Sequence, residues 1–201
     1  LMPYVMTINE RIECCAIRLQ DGTNIDFRKE DKQDEEGLHC KRIWKNQTPI
    51  DVFYLQSEDG KDIVILPLRQ ATEARELSNV PRFFIFFPLL GTEQHSINYI
   101  FHSEKFFPTE PRDLIVLPDG NREHQNKIDA DVALIDEMCK MLFDYLREHS
   151  ANISGSIALA PVGFETTAMK LAMVEYFKSL HTKWVDEFQS IPFIETTDKH
   201  V

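Results

Sequence analysis

The stretch P-R-F-F-I-F-F-P-L-L at Pro81–Leu90 is apolar at every position from Phe83 to Phe87. Successive side chains of a strand point to opposite faces, so this segment would present apolar groups on both sides. That pattern predicts a central strand covered by a layer on each face. The flanking sequence supplies both more strands and a covering layer. Upstream, Tyr4–Ile8, Ile12–Leu19, Asn24–Phe27, Leu38–Lys45, Val52–Ser57 and Asp62–Leu68 read as strands, with Asp21-Gly22 and Asp59-Gly60 as hairpin turns. Downstream, Gly91–Ser96 reads as a turn and Ile97–Phe101 as a return strand. The run Arg28–Gly37 contains no apolar residue and reads as a solvated hairpin loop, with a docking loop as the alternative.

The second layer comes from the C-terminal part. Ile128, Val132, Ile135, Met138, Leu142, Tyr145 and Leu146 recur at helical spacing, with charged residues opposite. A second stripe runs through Met169, Ala172, Met173, Tyr176, Phe177, Leu180, Trp184 and Phe188, with a cap expected at Thr166 or Thr167. Ile191–Thr196 is an apolar run that reads as the start of a next module. The expected class is α+β: a mostly antiparallel or mixed sheet covered by C-terminal helices. Residues 1–120 form the β-rich part and residues 121–201 a helical layer continuous with it.

Composition narrows the function. A net charge of −11 argues against a broad nucleic-acid or anionic-lipid surface. No apolar run reaches the roughly 18 residues of a membrane span. The first residues lack a signal peptide's basic start and cleavage site, and the chain opens on Leu1 rather than Met, as a piece of a longer protein would. Cys14, Cys15, Cys40 and Cys139 include no C-x-x-C pair, which suits buried reduced thiols in a cytoplasmic protein. The glycines are scattered, so neither a P-loop nor a dinucleotide fingerprint is present, and the histidines show no metal-binding spacing. On its own the chain does not read as an enzyme. His102 reads as a packed or surface residue rather than a ligand.

One candidate remains, in the loop F-H-S-E-K-F-F-P-T-E-P-R-D at Phe101–Asp113. Pro108 and Pro111 fix their own φ angles and bias Phe107 and Glu110 toward extended conformations, so the loop should be stiff. Arg112 can then bridge two oxygens of a phosphate or carboxylate. The alternative is that Arg112 pairs with Asp113 or Glu110 and only closes the loop.

Three stretches carry a resemblance: Pro3–Asn9 with the strand through Ile17; Phe83–Thr92 with Ile97–Phe101 and Arg112-Asp113; and Trp184–Thr196. Together they resemble the segment after the nucleotide-binding domain in bacterial sacsin-like proteins. Those belong to the ATPase superfamily that includes the ninety-kilodalton heat-shock chaperone, DNA gyrase and the histidine kinases. The resemblance implies a middle, or transducer, domain that couples the ATP state of an N-terminal nucleotide-binding domain to conformational change. Its partners would be that domain and a client protein. The order Ser103-Glu104, Pro108, Arg112, Asp113 is similar to the chaperone's middle-domain loop, whose arginine contacts the terminal phosphate of ATP; that role falls on Arg112. Here Pro111 directly precedes the arginine, and one basic residue stands where sacsin repeats often carry two. The superfamily's metal-binding asparagine helix, Asp-x-Gly-x-Gly strand end and glycine-rich lid are absent from residues 1–201. ATP and Mg2+ are therefore implied for a parent protein, with no cofactor in this segment. The competing expectation is a stand-alone protein-interaction module with no nucleotide role. In that case at least one of Phe106 and Phe107 should be exposed.

Overall fold

A computed structural model describes residues 1–34, 37–77, 79–95, 97–164 and 171–193. Helix α1 (Met2–Ile8) is followed by strands β1 (Cys14–Arg18), β2 (Asn24–Asp31), β3 (His39–Lys45), β4 (Thr48–Gln56) and β5 (Asp62–Leu66). A small hairpin, β6 (Leu68–Gln70) and β7 (Glu73–Ala74), precedes β8 (Phe83–Ile85), β9 (Phe87–Pro88) and β10 (Ile100–Ser103). Helices α2 (Gln125–His149) and α3 (Leu171–Phe188) follow, with short 3-10 turns in the connections. The main sheet has the order β1-β2-β3-β4-β5-β10-β8-β9. Its pairs are antiparallel except β10 with β8, which run parallel through Phe101↔Phe83 and His102↔Phe84. The class is α+β, as the sequence predicts.

Alternation along the inner strands sorts side chains into two cores. Phe53, Leu55, Val64, Leu66, Phe83, Ile85 and Phe101 face one side, under α2 and α3. Val52, Tyr54, Ile63, Ile65, Phe84 and Ile100 face the other, under α1. Trp184 of α3 is 1% exposed and stands among Tyr99, Phe101, Phe143 and Phe188, at centroid distances from 5.2 to 6.0 Å. Helices α2 and α3 thus share one core with this face of the sheet.

Several sequence expectations are corrected. Tyr4–Ile8 is helical rather than a strand, despite its β-branched and aromatic content. All five residues are buried, and Asn9 closes the helix by donating both its N–H and Nδ2 to the Val5 carbonyl (2.9 and 2.8 Å). Burial against the sheet overrides a weak local preference. Pro81–Leu90 is not one central strand. Phe83–Ile85 is covered on both faces, but Phe86 turns at φ +60° and Phe87–Pro88 folds back as the sheet's outermost strand. The return strand begins at Ile100 rather than Ile97.

The charge run is not all loop, because Arg28–Asp31 continue β2 by pairing with β3. Of the cysteines, Cys40 and Cys139 are buried, whereas Cys14 is exposed and Cys15 half-buried. Ile191 and Phe193 belong to the main core rather than to a following module. Thr166, Thr167, Met169 and Ile194–Thr196 lie outside the described residues.

Candidate functional site

Arg112 sits at the tip of a short hairpin spanning residues 107–116. Its rungs are Val116 N–H to Phe107 O (2.8 Å) and Thr109 N–H to Leu114 O (2.8 Å), with a bridge between Pro108 and Ile115. Inside the tip, Thr109 Oγ1 lies 2.7 Å from Asp113 Oδ1 and accepts from Leu114 N–H at 3.1 Å. The Asp113 carboxylate therefore has a partner within its own turn. Arg112 is exposed, and among the described residues it makes no hydrogen bond or ion pair. The alternative pairing with Asp113 or Glu110 is not what the hairpin adopts.

The base of the hairpin is fixed by a residue that the sequence reading passed over. Asp131, on α2, is fully buried and accepts the N–H of Phe107 (3.1 and 3.3 Å) and of Val116 (2.9 Å). One carboxylate thus ties both strands of the hairpin to the long helix. Burial pushes Asp131 up to about 6, against the opposing pull of those two N–H bonds. The signal was present in the sequence, since position 131 falls on the apolar side of the Ile128–Val132–Ile135 stripe, where an aspartate needs a partner. Phe106 is 3% exposed, against Phe83, while Phe107 is 39% exposed with Lys127 Nζ 5.6 Å above its ring.

Arg112 opens on a cavity of about 780 Å³ on the α1 side of the sheet, shared with Asn9, Arg11, Phe86, Phe87 and His102. Phe86 is a bulky residue at positive φ, a strained conformation that neighbours must hold in place. Asn9 Nδ2 donates to its carbonyl at 2.6 Å, and its ring leans on the His102 imidazole at 5.4 Å. His102 is buried, with Nδ1 3.2 Å from Phe84 O, and burial pushes it down to about 4. It is a packed residue. Phe87 and Leu90, beside the hairpin, are 60% and 62% exposed.

Among the described residues no cluster of histidine, cysteine or carboxylate side chains could hold a metal, and no helix is long and apolar enough to cross a membrane. Compared with protein-family models, curated proteins and solved structures, the chain matches none.

Proposed function

We propose that this domain is the middle, or transducer, domain of a sacsin-like, chaperone-type ATPase, and that Arg112 contacts the terminal phosphate of ATP held by a preceding nucleotide-binding domain. The observation that carries this reading is a guanidinium, without a partner among the described residues, at the tip of a hairpin clamped by a buried carboxylate. Preorganised positive charge of this kind stabilises charge that develops on a transferred phosphate. In a chain with 33 acidic and 22 basic residues, an arginine that pairs with no carboxylate among the described residues is suited to an anion from elsewhere. Helix α1 is about 10 Å long at 1.5 Å per residue, and its C-terminal end lines the cavity. A domain joined ahead of Leu1 would be tethered close to Arg112. ATP and Mg2+ belong to that domain.

The test is Arg112→Ala in the longer protein. Turnover should fall by about 10²–10³-fold, while the melting of this domain stays unchanged. Turnover equal to wild type overturns the reading, as does an upstream sequence without the asparagine helix and the Asp-x-Gly-x-Gly motif.

A second reading, a protein-interaction module, draws on exposed Phe86, Phe87, Leu90 and Phe107 beside the same hairpin. Aromatic side chains next to an arginine are typical anchors of protein interfaces. Phe87→Ser with Leu90→Ser would abolish partner capture under that reading and leave turnover intact.

A further inference from the structure

We propose that Arg11 is a second anion contact in the Arg112 cavity, so that the two guanidiniums grip different phosphates of one polyphosphate chain. This rests on the reading of Arg112 given above. Arg11 lines the same cavity, is exposed, and among the described residues has no hydrogen bond or ion pair.

Its loop is anchored independently of the Arg112 hairpin. Lys29 Nζ, on a side chain only 4% exposed, donates to the carbonyls of Asn9 (3.1 Å) and Glu10 (2.8 Å). Asn9 in turn holds the strained Phe86 carbonyl at 2.6 Å. Both arginines are therefore carried by backbone whose position is set by buried or hydrogen-bonded groups, which lowers the ordering cost of binding.

Most of the cavity's other charged side chains are already taken up in ion pairs. Lys41 pairs with Asp31 (2.6 Å), Lys61 with Glu104 (2.6 Å) and Asp59 with Lys105 (2.9 Å). Glu10 is the remaining carboxylate, and His102 is held neutral by burial. Arg11 and Arg112 are thus, among the described residues of the lining, the two cations left to meet an incoming anion. A guanidinium bridges two oxygens of one phosphate, so two of them on separate loops suit a chain of phosphates better than a single one.

The experiment follows the arginine Nε–H signals of this chain by NMR at low ionic strength, titrating inorganic tripolyphosphate and, separately, monophosphate. Arg11 and Arg112 signals should move along one saturation curve with tripolyphosphate, and much less with monophosphate. Arg11→Ala and Arg112→Ala should each weaken binding roughly five- to tenfold, as expected for a partly exposed charge-assisted contact. Arg122→Ala, an exposed arginine outside the cavity, should leave binding unchanged. If Arg112 responds and Arg11 does not, or if Arg11→Ala binds as wild type does, this inference is wrong while the reading of Arg112 stands. If neither signal moves, the inference also fails, and the reading of Arg112 is then judged by turnover of the Arg112→Ala protein alone.

Discussion

Strands β5, β10 and β8 and the second half of β4 bury side chains on both faces, whereas β1, β2 and β3 leave much of theirs to water. The buried half is held by aromatic and aliphatic packing against α1 on one side and α2 and α3 on the other. The exposed wing relies on its ladder and on charged cross-strand pairs. Arg42 grips Asp51 through two bonds (2.7 and 2.9 Å), Lys41 meets Asp31 at 2.6 Å, and Trp44 donates to Glu30 at 2.8 Å. The candidate site lies where the two regimes meet, since its cavity takes Lys41 from the wing and His102 from the body. A rigid hydrophobic body gives Arg112 a fixed platform. The polar border leaves it exposed to solvent.

Substitutions should separate the two regimes. Trp184→Ala should have the largest effect on stability, about 3–5 kcal/mol in urea unfolding, because it empties the centre of the aromatic core. An effect below about 1 kcal/mol would mean that the helical layer is not integral to the sheet's core.

Asp131→Ala should cost about 1–3 kcal/mol by leaving the Phe107 N–H without its acceptor and the Val116 N–H with only the Phe107 carbonyl. It should also loosen the hairpin, seen as faster amide exchange at these two positions. Asp131 carries a pH signature as well. Its folded value of about 6 lies above the ordinary 3.8, so the folded chain takes up the proton first. That contribution is complete below the ordinary value and is lost as pH rises through the folded one. Relative to Asp131→Asn, the wild type should therefore become less stable between about pH 4 and 6, measured as a difference in melting temperature. A flat difference would remove the buried, raised carboxylate from the account.

Arg42→Ala should have the smallest effect, under about 1 kcal/mol, because the pair it breaks lies in the partly solvated wing. The hydrogen bond from Arg42 holds Asp51 below the ordinary carboxylate value. What the pair contributes is therefore present above that value and lost as pH falls through the lowered one. A loss as large as that of Asp131→Ala would erase the distinction between wing and body.

The sequence by itself determined the α+β class, most strands of the meander and both long helices. Those features follow from local periodicity and turn chemistry, which need no knowledge of what packs where. Tertiary structure decided the rest. Tyr4–Ile8 became a helix because the sheet's second face needed cover there, and Phe86 broke the apolar run because Asn9 and His102 hold its turn in place. Asp131 became the clamp for N–H groups 15 and 24 residues away, and Arg11 came to share a cavity with Arg112 about a hundred residues on, because no local pattern encodes such pairings.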